Sequence, residues 1–402
     1  MTRSGRFQWG FVVLFLILAA LSRSPALVVL AAGGVVIWVV VSLTARLAFV
    51  ALEATVELSQ DRVVAGERIV ATVRITNRKP LPLAWLDLRL FLPDGIEPEQ
   101  VAPGAPRGWV DAGLSPRGHE RVSLRFPLAC TRRGASAIGP LRLRASDWLG
   151  FLSVERSVPI SLAVVAYPAP LAVRDRHLPS LRPLAETAVR RGLLPDPLRF
   201  RGVREHRAGD PRKEIHWKAS ARLRTLQTKL YEPATSLDAV FLVNVASYEQ
   251  YWVQADPEAV EIVVSAAADL VRQAARAGRQ VGLVTNGIDN LTHQRPRSAL
   301  SRGPRALTRS LEILARLGPY AVNSPEVVFL AERGRLPWGA TLVVVTPTIS
   351  SGLAGAMLAL RRAHHRVLAV SVLAPAPGVS EHLVAHGIVI DVLHAAELRR
   401  AI

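Results

Sequence analysis

The chain has a single cysteine, Cys130, in 402 residues, and that scarcity excludes an intramolecular disulfide framework. No sequence mark of an oxidising compartment remains. Cys130 closes the alternating run Val122, Leu124, Phe126, Leu128, Cys130, so it reads as a small buried hydrophobe and not as a nucleophile. Charge is also sparse, at 20% of residues, while half are hydrophobic and the mean hydropathy is +0.24. Acidic residues are the scarcer sign, 32 against 50 basic, giving a formal net charge of +18. No Gly-rich phosphate loop is present. His382 and His386 stand four apart, but Leu383 occupies the position where a zinc-protease helix carries its glutamate, and Glu381 precedes the pair instead. His206, His216 and His364-His365 lack triad spacing. The common catalytic signatures are therefore missing, and the chain reads as a non-enzyme without cofactors.

Two long uncharged apolar runs are present, Trp9 to Leu21 and Ala26 to Leu43, separated by Ser22, Arg23, Ser24 and Pro25. A membrane span needs about 20 predominantly apolar residues, so spans at about 7–22 and 26–43 are expected, forming a helical hairpin within residues 1–52. A cleaved signal peptide is the rival for the first run; it would leave the second as an anchor. Arg3 and Arg6 precede the first run and Arg46 follows the second, which places both ends on the cytoplasmic side.

From 53 to 168 the pattern changes to short alternating runs. Ile69, Ala71, Val73 and Ile75 face one way and Val70, Thr72, Arg74 and Thr76 the other, and turn signals such as Leu92-Pro93-Asp94-Gly95 recur between runs. This predicts an immunoglobulin-like β-sandwich, with Trp85, Trp109 and Trp148 as packing aromatics. Residues 236–402 alternate apolar runs at Asp238 to Ser247, Gln280 to Asn286, Thr341 to Thr346 and Arg366 to Leu373 with helical stretches, among them Pro257 to Gly278 capped by Asp256. That order predicts a doubly wound parallel sheet, and the whole chain a membrane-anchored α+β multidomain protein. Ligands of such sheets collect at the strand carboxyl ends, here Asn244 to Tyr248, Thr285 to Asn290 and Thr346 to Ser350.

Between these regions, 169–235 is a basic linker and motif segment. Its arginines and lysines from Arg190 to Lys229 face only Asp196, Glu205, Asp210 and Glu214. Asp210-Pro211 suits a helix start, and Trp217 suits a packing role. The arginines fit anionic headgroups, an acidic protein or intramolecular ion pairs. Nucleic acid or anionic lipid is the alternative ligand; a membrane hairpin and the lack of interleaved aromatics weigh against nucleic acid.

The order of Arg132-Arg133-Gly134, Gly139-Pro140-Leu141, Asp147-Trp148-Leu149-Gly150, Arg204-Glu205-His206-x-x-Gly209-Asp210 and Ile215-x-Trp217-Lys218-x-Ser220-Ala221-Arg222 resembles the bacterial "domain of unknown function 58" family. The resemblance implies a von Willebrand factor A-like C-terminal domain. It marks Arg204, Glu205, Gly209, Asp210, Arg212, Trp217, Lys218, Ser220 and Arg222 as motif or partner-binding residues. Many A-type domains hold a divalent cation through Asp-x-Ser-x-Ser; here Asn244, Ala246 and Tyr248 stand in those places, so the metal site is expected to be lost. Asp256 or Asp289 would have to supply any replacement ligand. The resemblance further implies a protein of the bacterial cytoplasmic membrane whose soluble domains lie in the cytoplasm. Its implied partners are a MoxR-type AAA+ ATPase and an unknown client, in assembly or maturation of other proteins.

Overall fold

Strict alternation predicts strands that turn one side to a core, and the structure, a computed structural model, carries them. It describes Ile17 and residues 25–100, 108–148, 152–171, 195–207, 210–233, 238–337 and 340–393. The chain divides into two units, Met1–Tyr167 and Pro168–Ile402.

The first unit opens with helix α1, Pro25–Arg46, which among the described residues is the helix long and apolar enough to cross a membrane. Its 22 residues span about 33 Å at roughly 1.5 Å per residue, against a hydrocarbon thickness of about 30 Å. Only Ala31, Val41 and Ala45 are buried along it, so most of its apolar surface is unclaimed by protein. Apart from Ile17, the expected first span at 7–22 lies outside the described residues.

Strands β1 (Leu52–Leu58), β3 (Arg68–Asn77), β7 (Arg121–Cys130) and β5 (Ile96–Pro98) form one antiparallel sheet in the order β1-β3-β7-β5. A second has the order β10-β9-β4-β6, from Ser153–Val158, Leu141–Ser146, Trp85–Phe91 and Trp109–Leu114. A small third sheet joins β2 (Arg62–Val64), β11 (Leu162–Tyr167) and β8 (Gly134–Ile138). Ile69, Ala71, Val73 and Ile75 from the first sheet and Leu86, Leu88 and Leu90 from the second are fully buried in one shared core. A buried Ile or Leu contributes about 1.5–3 kcal/mol relative to exposure. A one-residue slip of β3 would turn all four of its inward side chains out, which fixes the register. Cys130 is fully buried there, and burial, aided by Glu67, pushes its thiol pKa up.

Two of the tryptophans do not pack as expected. With Leu86, Leu88 and Leu90 inward, Trp85 must point outward; it lies across Gly113, donates Nε1–H to Asp87 at 2.6 Å and stays 47% exposed. Trp148 is 65% exposed. Trp109 does pack, edge-on to Phe91 and under Arg142. Gly139 of the Gly-Pro-Leu motif has φ +118, and a Cβ there would meet the Ile160 carbonyl oxygen at 2.0 Å. Only glycine fits.

In the second unit the supposed linker contains an antiparallel pair, β12 (Pro195–Glu205) and β13 (Gln227–Pro233), with helix α2 (Trp217–Leu223) between them. The main sheet follows: β14 (Asp238–Val243), β15 (Gln280–Thr285), β19 (Thr341–Thr346), β20 (Arg366–Ser371) and β21 (Val389–Val392) are parallel, and β17 (Arg297–Ser301) pairs antiparallel at the edge. The order is β17-β15-β14-β19-β20-β21, while β16 (Gly287–Asp289) pairs separately with β18 (Leu317–Ala321). On one face Val240, Leu242, Leu342 and Val344 pack with Phe329, Leu353, Met357 and Leu383, from α5 (Pro325–Ala331), α6 (Ser351–Arg362) and α7 (Pro377–Ala385). Ala239, Phe241, Val243 and Val343 are buried on the other face, where α3 (Pro257–Arg276) and α4 (Pro304–Arg316) lie. Burial on both faces is why these strands read as continuous apolar runs.

Asp256 caps α3 as expected, accepting from the Glu258 and Ala259 N–H groups at 3.0 and 3.2 Å. The helix ends at Arg276, with Ala277 as its cap and Gly278 just beyond at φ +72. Strand β14 stops at Val243, four residues short of the expected Ser247, because the backbone beyond it is taken up by side-chain hydrogen bonds described below.

Candidate functional site

A two-stranded hairpin is marginal by itself, so what fixes β12 to β13 matters. Backbone pairing sets Val203 opposite Lys229 and Glu205 opposite Gln227. Beyond it, the Arg204 guanidinium grips the Asp210 carboxylate with both ends, Nη1 to Oδ2 and Nη2 to Oδ1, each at 2.7 Å. The Arg207 N–H donates to Oδ2 at 3.0 Å, and the Thr228 hydroxyl reaches it from β13 at 3.3 Å. His206 Nδ1 lies 2.9 Å from that same hydroxyl. Asp210 thus joins the loop to both strands.

This corrects the expected helix start. Pro211 flanks a single 3-10 turn, Arg212–Glu214, and Asp210 caps nothing. A two-pronged charge-assisted bond is stronger than a neutral capping bond, so the carboxylate turns back to β12. The helix that does form, α2, is capped by His216, whose Nδ1 accepts from the Ala219 N–H at 3.1 Å. It ends at Arg224 in the left-handed conformation, φ 56. Ser220 is buried and sews this helix to β13: its hydroxyl donates to the His216 carbonyl at 3.0 Å and accepts from the Gln227 N–H at 2.8 Å.

The Arg204 guanidinium, followed by the Arg207 N–H, holds the Asp210 carboxyl well below the usual aspartate range. A folded pKa below the unfolded value of about 3.9 means that the pairing stabilises the hairpin above that value. The contribution is lost as pH falls from there toward the folded pKa. Hydrogen exchange at the Arg204 and Thr228 amides, which face each other across β12 and β13, should therefore accelerate, relative to intrinsic rates, below about pH 4. In Asp210→Asn the same amides should be less protected above about pH 4 and lose that acid step.

The motif thus separates into two groups. Arg204, Asp210 and Ser220 build the scaffold. Arg212, Trp217, Lys218 and Arg222 are exposed, as is the Glu205 side chain; Gly209 lies outside the described residues. Trp217 is 68% exposed, which overturns its expected packing role. Leu223 and Leu226, absent from the sequence-based set, are also exposed beside these cations. Thr228 and His206 complete the scaffold; His206 stands in the Arg204-Glu205-His206 motif, whereas the only sequence signal for Thr228 is proximity to the basic run.

The strand ends form the second candidate. The chain runs from β14 to β15 on one side and later returns to β19 on the other, so the order reverses between β14 and β19. Asn244, just past β14, bridges that point: its Nδ2 donates to Thr346 Oγ1 at 2.9 Å and to the Ala246 carbonyl at 3.3 Å. Its Oδ1 accepts from the Ala246 N–H at 2.9 Å and from Asn286 Nδ2 at 2.8 Å. Asn286 in turn accepts from the Val245 N–H at 2.9 Å and donates to the Asn323 carbonyl at 3.2 Å. Thr346 donates to the Thr348 carbonyl. Asn244, Asn286 and Thr346 are all buried.

Asn244, Asn286 and Thr346 are thus bonded to one another, and all three are neutral. Tyr248 is exposed, and Ser247 is buried with its hydroxyl accepting from the Asp256 N–H at 3.1 Å. Asp256 is committed to its cap. Asp289 is buried, paired with Arg316 at 3.0 Å and accepting from the Leu291 and Thr292 N–H groups. Among the described residues, no three His, Cys, Asp or Glu side chains are grouped to hold a metal ion.

Residues 202–385 match the family model described as a protein of unknown function, DUF58. This stretch starts within β12 and takes in the hairpin and the sheet as far as α7. An uncharacterised protein, YeaD of Bacillus subtilis (strain 168), is 27% identical over 289 residues. The alignment covers 70% of this chain and 64% of that relative's length. A non-cellulosomal cohesin from the hyperthermophilic archaeon Archaeoglobus fulgidus aligns with 18% identity over 28% of this chain and 92% of its own, at a TM-score of 0.20.

Proposed function

Because the chain belongs, through residues 202–385, to the DUF58 family of unknown function, we propose that it is a membrane-tethered protein-binding protein whose α2 hairpin docks an acidic partner. The observation that carries this is Trp217, exposed on a short helix among Arg212, Lys218 and Arg222 and held by the buried Ser220 and the Arg204–Asp210 pair. Trp and Arg dominate binding hot spots, and a pre-formed scaffold lowers the ordering cost of association. The Asn244–Asn286–Thr346 network at the strand ends supports binding over catalysis, since its polar groups are neutral amides and a hydroxyl already bonded to one another. The partner is a MoxR-type AAA+ ATPase, acting with this chain on a client protein, an assignment drawn from the family resemblance.

The finer architecture belongs to the same reading. Two antiparallel sheets around one core support an immunoglobulin-like sandwich, and the doubly covered parallel sheet supports a von Willebrand factor A-like domain with a degenerate cation site. Helix α1 supports a membrane anchor; the proposed second span rests on the uncharged run Trp9 to Leu21 alone. Capture from native membranes by the full-length chain tests the docking role. Arg212→Glu, Lys218→Glu and Arg222→Glu together should reduce recovery of a MoxR-type ATPase at least roughly tenfold, since reversed charges replace attraction by repulsion. Undiminished recovery would contradict the assignment. So would salt-sensitive retention of DNA in place of any protein.

A further inference from the structure

Helix α1 does not end in a free tether. The last carbonyls of a helix have no partner within it, and beyond Arg46 those of Leu47 and Ala48 are both taken by Lys79 Nζ, at 2.6 Å each. Lys79 lies just past β3, so an ammonium ties the helix exit to the β-rich body, where the helix dipole also favours a cation. The Arg156 guanidinium adds a bond from β10 to the Phe49 carbonyl at 3.4 Å. Ala45 and Ala48 share a cleft with Leu81, Pro82 and Trp148. The loops carrying Leu81 and Trp148 therefore stand at the level where α1 ends.

That level has a depth. If α1 crosses the bilayer, its roughly 33 Å length uses up the hydrocarbon layer of about 30 Å, and its last turn emerges among headgroups. Around this turn Leu43 is 54% exposed, Val50 54%, Leu81 50% and Trp148 65%. Apolar side chains led by a tryptophan are poorly matched to water and well matched to the interface, where Trp is enriched. We infer that the first unit is seated on the bilayer, with Leu81 and Trp148 immersed in the headgroup layer beside the end of α1. The partner of this surface is the membrane lipid. The inference rests on α1 as the anchor and adds that the β-rich body is held against the surface.

Nitroxide depth measurements on the full-length chain in phosphatidylcholine–phosphatidylglycerol bilayers test it. Cys130 is fully buried, so labels go to added cysteines, with the unsubstituted chain as the blank. Leu81→Cys and, independently, Trp148→Cys report the surface; Ile37→Cys reports mid-helix and Tyr320→Cys reports water in the second unit. Collision with oxygen relative to a water-soluble nickel chelate should place the labels at 81 and 148 within the headgroup layer, roughly 5–8 Å thick on each side. The label at 37 should be deeper and that at 320 in water. Labels at 81 and 148 matching that at 320, with 37 deep, overturn the seating and leave the anchor intact. A label at 37 that itself reads as water overturns the anchor, and the seating falls with it. Shielding of 81 and 148 from both oxygen and nickel indicates a protein cover and also overturns it.

Discussion

Replacing Asn286 by alanine is expected to destabilise the second unit by about 3 kcal/mol, because a buried polar group left unpaired costs roughly 1–3 kcal/mol. The substitution strands the Val245 N–H, removes the bond to the Asn323 carbonyl and halves the bonds to Asn244 Oδ1. Solvent does not readily replace the bonds to the Val245 N–H and Asn244, since Val245, Asn244 and Asn286 are almost wholly buried, whereas the Asn323 carbonyl belongs to an exposed residue. The loss should be local first. Hydrogen exchange at Val243, Val245 and Val345 should speed up by about two orders of magnitude for that energy, while amides in β3 and β7 of the other unit stay unchanged. Acceleration below about threefold would mean that the network is not what closes the strand ends. Asn244→Ala should act in the same direction, and the double variant should cost less than the sum, since the two amides are each other's partners.

This network shows where sequence reading stopped. Runs such as Thr341–Thr346, buried along their whole length, and the alternation of β3 were legible because burial imposes a local period. The Asp256 cap was legible because a cap is made within three residues. Asn244 bonds a residue 42 positions away and another 102 away, and only the strand order brings them together. The missing carboxylate at 244 was visible in sequence; that two asparagines and a threonine satisfy one another was not. At Asp210 the difficulty was competition: the residue that caps helices also binds arginine, and Thr228, 18 positions on, helped to decide the outcome. The apolar character of the Trp217 side chain argues for burial, but Ser220 and Ile215 fill the inward positions and leave it outside.

The second large effect follows from that exposure. Truncating a Trp hot spot commonly costs 2 kcal/mol or more in binding, roughly a thirtyfold loss of affinity. Trp217→Ala should weaken capture of the partner by about that factor and leave the fold intact, because a side chain 68% exposed contributes little packing. Arg204→Met makes the contrast. It should weaken capture only through loosening of β12 against β13, visible as faster exchange at Gly202 and Thr228, whereas Trp217→Ala should leave those amides protected. Equal loosening in both variants would assign Trp217 to the scaffold after all.

The central claim, that the α2 hairpin is a docking surface for protein, is tested most directly by a photo-reactive benzoylphenylalanine at position 217 of the full-length chain, irradiated in native membranes. One dominant cross-link to another polypeptide is expected, lost with the charge reversals at Arg212, Lys218 and Arg222. Cross-links confined to the chain itself, to lipid or to nucleic acid would contradict it.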